Sequence, residues 1–429
     1  MRRIRPSLIL LAGGVVLAGA GVVILGGSSG PAAEITGAAL DPAAPATPSP
    51  PPLPPPPPPP LDLGKLALAG DHSEAPRGAE RVKLTLDPDL QATAEKLLAE
   101  SKTPRAAIIA MSPDGRILVM AGRRTSDPTG KGDATLDPQL ALDAWAPAAS
   151  VFKLVTASAL VASGMDPDDK VAFHGGIRSV LDSNLRDDRR DNNTQSLLWG
   201  VAHSNNAILG KLAFQHLQPT ALADQAHALG FDAAIATAPL GGVAATFGKL
   251  TMPADRDLTF ARTAAGFSSW ATSTDVSKSA KPADAAAATP DKPWGSQLSA
   301  LGGAVLAATF ADDGDQPTPY LVDGAAPTKP HHVLDREVAR KVASMMAGAC
   351  EFGSASRSFH HHKVAVAGKT GTLTQESPTY TQYSWFVGYT PIDKPTLVIA
   401  VVLGNPENWQ MKGHELARKL IDHTTHKPS

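Results

Sequence analysis

Ser150 and Lys153 stand three residues apart in the stretch Ala148-Ala149-Ser150-Val151-Phe152-Lys153-Leu154-Val155. On a helix that spacing puts both side chains on one face. A serine hydroxyl is a poor nucleophile until a base takes its proton. A lysine half-buried among Val, Phe and Leu has its ammonium form disfavoured by desolvation, so it can serve as that base near neutral pH. The N-terminus of the helix adds a positive field and free backbone N–H groups, which suit an oxyanion. The bland alternative is a helix cap followed by a solvated lysine.

Two later stretches bear on that choice. In Ala202-His203-Ser204-Asn205-Asn206-Ala207-Ile208, small polar residues interrupt an apolar helical region. The structural reading is a helix junction with Ser204 or Asn206 as cap. The chemical reading has Ser204 relay a proton between the lysine and a leaving group, and Asn206 offer its amide to a peptide-like substrate. In Ala367-Gly368-Lys369-Thr370-Gly371-Thr372-Leu373, a strand turns polar, with Lys369, Thr370 and Thr372 around Gly371. An ammonium and two hydroxyls can hold a carboxylate. A glycine admits close approach of a ligand backbone, and a strand edge offers N–H groups to a peptide.

The surrounding chain must position these groups. It has 429 residues, a formal net charge of −2 and one cysteine, Cys350. The near-neutral charge points away from nucleic acid. A lone cysteine allows no intrachain disulfide and reads as a small buried helix residue. Arg2, Arg3 and Arg5 precede an uncharged apolar run over residues 7–27. That length suits a bilayer-spanning helix with its N-terminus cytoplasmic and the rest outside, in a single pass through the plasma membrane. A cleaved signal is the alternative. Residues 29–79 are rich in Pro and Ala, with an unbroken proline run at 54–60. They read as a polyproline II spacer, in which twenty residues would reach roughly 60 Å. The expected division is therefore 1–28 stub and anchor, 29–79 linker and 80–429 folded domain.

Within the folded part, Asp87-Pro88 looks like a cap and first helical position, opening a helix to about Ser101. Residues 106–110 and 116–120 form a hairpin around the turn Ser112-Pro113-Asp114-Gly115. A mostly helical block follows to about Leu306, with helices at 196–202, 207–216 and 220–229. Residues 272–293 lack periodicity and read as a flexible insertion. Strand patterns return at 364–373, 383–389 and 396–403, and a helix closes the chain at about 412–422. The fold class expected is α+β: an antiparallel five-stranded sheet built from both chain ends, flanked by helices, with an all-α subdomain inserted between. A cleft between the two parts is the expected site. His360-His361-His362 and His331-His332 read as exposed loops rather than metal ligands.

Ser-x-x-Lys at Ser150, Ser-x-Asn at Ser204 and Lys-Thr-Gly at Lys369 occur in the order found in penicillin-binding proteins and serine β-lactamases. The chain resembles the penicillin-binding protein transpeptidase family from about Arg81 to Ile421. Thr85-Leu86-Asp87-Pro88-Asp89-Leu90-Gln91 is similar to the family's opening segment. Trp385-Phe386-Val387-Gly388-Tyr389-Thr390-Pro391 is similar to the strand after Lys-Thr-Gly. The resemblance implies that Ser150 is acylated, Lys153 is its base, and Ser204 and Asn206 line the helical wall. It implies that Lys369, Thr370, Gly371 and Thr372 bind the substrate carboxylate from the strand. The Ser150 and Thr372 N–H groups would form the oxyanion hole. The reaction implied is attack on the D-Ala-D-Ala bond of a peptidoglycan stem peptide, loss of D-Ala and transfer of the acyl group to an amine. β-Lactam antibiotics would acylate the same serine. No cofactor or metal is required, and other cell-wall synthesis proteins are possible partners.

Ala148-Ala149 replaces the Pro-Gly frequent in the family, and residues 262–295 match it poorly. There is no room between the spacer and Arg81 for a glycosyltransferase, so glycan polymerisation is not expected. Hydrolytic alternatives are a D,D-carboxypeptidase or a β-lactamase, distinguished by the fate of the acyl-enzyme. A non-catalytic β-lactam sensor or scaffold is the alternative of a different class.

Overall fold

The computed structural model describes residues 57–425 apart from 177–178, 270–292, 326–327 and 377. The anchor segment, the first three residues of the proline run and nearly all of the 272–293 insertion lie outside these residues. Among the described residues no helix is long and apolar enough to cross a membrane.

The ordered chain begins before the expected boundary at residue 80. Strands β1 (Ala67–Ala69), β2 (His72–Arg77) and β3 (Glu80–Leu84) form an antiparallel meander. Leu61 and Leu63 are buried in the main core, and the Leu61 N–H donates to Gly241 O at 3.0 Å. Composition reads this segment as spacer because its inward positions on β2 are only Ser73 and Ala75. Small residues bury, but they give little hydrophobic alternation to detect.

Helix α1 (Pro88–Ser101) starts as its sequence dictates: the Asp87 carboxylate accepts from the N–H groups of Asp89 and Leu90. Strands β4 (Arg105–Met111) and β5 (Ile117–Thr125) form the expected hairpin, and β6 (Ala134–Leu136) pairs with the end of β5. Strand β7 (Ala146–Pro147) leads through a 3₁₀ turn (Ala149–Phe152) into α2 (Lys153–Ala162). The inserted block holds the hairpin β8 (Lys170–Phe173) and β9 (Asn193–Ser196), then α3 (Leu197–Ala202), α4 (Asn206–His216) and α5 (Pro219–Ala228). It continues with β10 (Gly248–Thr251), α6 (Leu258–Ala264) and β11 (Gly295–Leu298). The block is helical in the main, with short hairpins that the sequence pattern did not separate.

After α7 (Ala300–Ala311) come the paired β12 (Asp315–Gln316) and β13 (His331–His332), then α8 (Arg336–Glu351) and α9 (Ser356–Phe359). The chain ends with β14 (Ala367–Gln375), β15 (Thr381–Thr390), β16 (Leu397–Asn405) and α10 (Gly413–Thr425).

The main sheet has six strands, in the order β14-β15-β16-β4-β5-β6, with all neighbours antiparallel. The expected count was five. The extra strand is β6, three exposed residues at the edge opposite β14, too short and polar to show a period of two. Helices α1 and α10 cover one face, and α7 and the helical block the other. Burial from both sides explains why β16 is buried along its whole length.

Helix α8 had no counterpart in the sequence reading. Its signals are present: Asp335 caps it, and Val338, Val342, Met345, Met346 and Ala349 recur at helical spacing. Cys350 is buried near its end, and burial raises its thiol pKa. The histidine run departs from the expected exposed loop at one position. The His362 ring is almost wholly buried, 2.9 Å from Asp422 Oδ1 and 2.8 Å from Val364 O, and fastens this turn to α10.

Candidate active site

Ser150 lies in the 3₁₀ turn, and α2 begins only at Lys153. This turn is tighter than the regular helical turn expected here. In 3₁₀ geometry residues i and i+3 eclipse, so the two side chains stack more directly than on an α-helix. The turn is sharp because Ala149 adopts φ +50°, a left-handed conformation that costs a residue with a Cβ. Three neighbours hold it. Ala148 N–H donates to Ser296 O at 3.0 Å, and the buried Trp385 indole N–H donates to Pro147 O at 2.8 Å. Gly266 lies so close that a Cβ there would sit 2.1 Å from Ala149 O.

Lys153 is fully buried, deeper than its sequence neighbours suggested. Its Nζ lies 2.7 Å from Ser150 Oγ, 2.6 Å from Asn206 Oδ1 and 2.6 Å from Ala265 O. A neutral amine has two N–H groups and one lone pair. The amide and backbone carbonyl oxygens can only accept, so they take both N–H groups. The lone pair is left facing the Ser150 hydroxyl, which can then donate to it. Desolvation first, and the charge of Lys369 second, hold the Lys153 pKa well below that of a free lysine. The same three contacts would also satisfy an ammonium, so it is burial that favours the neutral amine.

Asn206 and Ser204 come from the turn between α3 and α4. The cap of α4 is the residue between them: Asn205 Oδ1 accepts from Ile208 N–H at 2.9 Å. Neither Ser204 nor Asn206 serves as the cap, and both side chains line the cleft. Ser204 itself adopts φ +58°. The expectation that Asn206 offers its amide to a ligand is refined, since its oxygen is already engaged by Lys153.

Strand β14 forms the other wall and is the outermost strand on its side of the sheet. Strand alternation sends Lys369 and Gly371 to one face and Thr370 and Thr372 to the other. Lys369 is fully buried behind the cleft, its Nζ donating to Ser204 Oγ at 2.9 Å and to Thr370 O at 2.8 Å. Desolvation lowers its pKa to about 7. Thr370 and Thr372 line the cleft, and Thr370 Oγ1 lies 2.6 Å from Ser354 Oγ. The neighbours of Gly371 are the protein's own: an added Cβ would meet Trp385 Cβ at 3.2 Å, and Ala148 O and Ala149 Cβ at 3.4 Å. The tightest of these is the neighbouring strand's Trp385, and the contacts with Ala148 and Ala149 bring β14 beside the nucleophile turn.

The cleft so formed has a volume of about 440 Å³. Ser150, Ser204, Asn206, Ser354, Thr370 and Thr372 converge on it. None of the described residues lining it is a carboxylate. Sequence reasoning missed Ser354, which lies just beyond the unassigned α8, and Ala265-Gly266, which fall in the poorly matching segment. It also left out Trp409 and Lys412 at the outer rim, where the ammonium lies 5.2 Å from the indole centroid.

Residues 106–423 match the family described as Penicillin binding protein transpeptidase domain. No curated protein matches the chain. Among solved structures, the D,D-transpeptidase domain of a peptidoglycan glycosyltransferase from Eggerthella lenta is 24% identical. That alignment covers 80% of this chain and 82% of the other, with a TM-score of 0.59. The penicillin G acyl-enzyme complex of penicillin-binding protein A from Mycobacterium tuberculosis is 20% identical, covers 82% of each chain and has a TM-score of 0.58. Penicillin-binding protein 2B from Streptococcus pneumoniae is 16% identical, with 83% of this chain and 62% of that chain covered and a TM-score of 0.59.

Proposed function

From the premise that this chain belongs to the penicillin-binding protein transpeptidase domain family, we propose that it cross-links peptidoglycan stem peptides through an acyl-enzyme on Ser150. The observation that carries the proposal is the fully buried Lys153 amine 2.7 Å from Ser150 Oγ, where burial disfavours its charged form.

The steps follow from the residues. Ser150 Oγ attacks the carbonyl of the penultimate D-Ala as its proton passes to Lys153 Nζ. The oxyanion forms at the junction of the Ser150 turn and the edge of β14, where the N–H groups of Ser150 and Thr372 are the proposed donors. The C–N bond breaks, and the departing D-Ala amine takes a proton delivered through Ser204, which Lys369 orients. Thr370, Thr372 and Ser354 receive the substrate carboxylate, with the Lys369 charge behind them. An incoming amine then attacks the ester, loses a proton to the same base and releases Ser150.

Transfer rather than hydrolysis is favoured by the lining of the cleft. Among its described residues no carboxylate is placed to activate water. The same reading puts the domain outside the plasma membrane, tethered by residues 7–27 and the Pro-rich segment. The decisive assay supplies a D-Ala-D-Ala donor peptide and an amine acceptor to the purified protein. A cross-linked peptide released with stoichiometric D-Ala supports the proposal. Free D-Ala without cross-linked product would replace it by a carboxypeptidase.

A further inference from the structure

A second cavity of about 140 Å³ opens beside the main cleft, and Tyr380 lines both. Its walls include Arg105, Trp145, Tyr383 and Gly404. The Arg105 guanidinium lies over the Trp145 indole, 4.4 Å from the ring centroid, and Trp145 and Tyr383 have centroids 6.1 Å apart. The aromatic wall is fixed. Trp145 Nε1 donates to Leu140 O at 3.0 Å and Tyr383 Oη donates to Gln375 Oε1 at 3.0 Å. A Cβ at Gly404 would sit tightly, 3.2 Å from Arg105 O and 3.3 Å from Thr381 Cγ2, with the Trp145 ring at 3.4 Å.

Among the described residues no carboxylate forms an ion pair with Arg105, and Asp143 and Asp137 act on it only at longer range. Arg105 is paired across the sheet with Arg124, but only Arg124 has an acid, Asp137 Oδ2 at 2.7 Å. Among the described residues the Arg105 side chain meets no hydrogen-bond acceptor, and its Nε is buried without a partner. Like charges opposed on neighbouring strands destabilise a sheet. Partly buried charges are ordinarily paired. A guanidinium seated over an indole keeps its planar donor fork, which can take a carboxylate through two N–H groups.

We propose that Arg105, stacked on Trp145, is a binding site for a carboxylate of the stem peptide upstream of the scissile bond, in a groove continuous with the catalytic cleft through Tyr380. The inference rests on the transpeptidase reading for its ligand. It deepens that reading by naming a substrate feature: stem peptides with a free upstream carboxylate are preferred over those in which the same group is amidated.

The test uses the full chain carrying Ser150→Ala, so that binding is read without turnover. Two synthetic stem pentapeptides are titrated by calorimetry, one with its upstream carboxylates free and one with them amidated. The free acid is expected to bind about 10- to 100-fold more tightly, the range of a charge-assisted hydrogen-bonded pair. Arg105→Gln should bring that ratio close to one. Arg105→Lys, which keeps the charge and loses the fork, should leave an intermediate ratio that falls with added salt. Equal affinities in the Ser150→Ala parent overturn the proposal, as does a ratio that Arg105→Gln and Arg105→Lys both leave unchanged. Acylation of the unmodified protein by benzylpenicillin is followed alongside. If the adduct forms and the ratio is one, the subsite fails and the serine chemistry stands; if no adduct forms, the transpeptidase reading fails.

Discussion

Asn206 Oδ1 lies 2.6 Å from Lys153 Nζ, as close as the backbone Ala265 O, so the side chain that meets this amine from outside its own turn is a neutral acceptor. An amide there draws an N–H of the amine without stabilising its protonated form as a carboxylate would. Asn206→Asp changes almost nothing in size, yet it places an opposite charge against the amine and raises its pKa. Acylation by benzylpenicillin at pH 7 should fall by roughly tenfold or more, in line with a shift of one or more pKa units. The rising limb of the pH–rate profile should move to higher pH. Asn206→Ala should slow acylation without moving that limb upward, and stopped-flow measurements across pH separate the two.

Lys369 gives stability a pH dependence. Its folded pKa is about 7 and its ordinary value 10.5, because burial disfavours the ammonium. Between those values the unfolded chain holds a proton that the native chain has released. Raising the pH through this window therefore favours the native state through this group. As pH falls through about 7, the native amine must charge inside the protein and that advantage is lost. Lys369→Met should flatten the slope of melting temperature against pH between about 7 and 10, and calorimetric scans across that range would show it.

Trp385 ties the central sheet to the turn before the nucleophile through its 2.8 Å bond to Pro147 O. Trp385→Phe leaves that buried carbonyl without its donor, which costs about 1–3 kcal/mol of stability. Acylation should slow as well, because the turn that sets the Ser150 geometry loses one of its supports. Denaturant melts combined with acylation rates check both effects. A stability loss with an unchanged rate would confine the tryptophan to the core.

Much of this site was legible in the sequence because three of its parts are local. Ser150 and Lys153 share one turn, Ser204 and Asn206 share another, and Lys369 to Thr372 lie on one strand. Their types and spacing carried the chemistry. What joins them is contact between segments far apart in the chain, and it was not legible. The Lys153 bond to Ala265 O spans 112 residues, and the Lys369 bond to Ser204 spans 165. The contacts of Gly371 with Trp385, Ala148 and Ala149 were likewise not readable from its own segment. The helices at 196–202, 207–216 and 220–229 emerged within a residue or two of α3, α4 and α5. The meander before Leu84 and the edge strand β6 did not, since short strands of small or exposed residues lack the alternation that betrays a buried face.

Lys153→Met separates the roles of the amine. Methionine fills nearly the same buried volume without a charge to desolvate, so the melting temperature should hold or rise. Acylation should fall by roughly 10²- to 10⁴-fold, the usual contribution of a positioned base. A normal rate would remove Lys153 from proton transfer.

The central claim is that Ser150 forms an acyl-enzyme that waits for an amine. Intact-mass measurement after mixing the protein with benzylpenicillin tests it most directly. One added penicillin per chain, lasting many minutes, is expected, and none on Ser150→Ala. An unmodified mass in both proteins, or a rapid return to free enzyme with steady loss of the antibiotic, would contradict it.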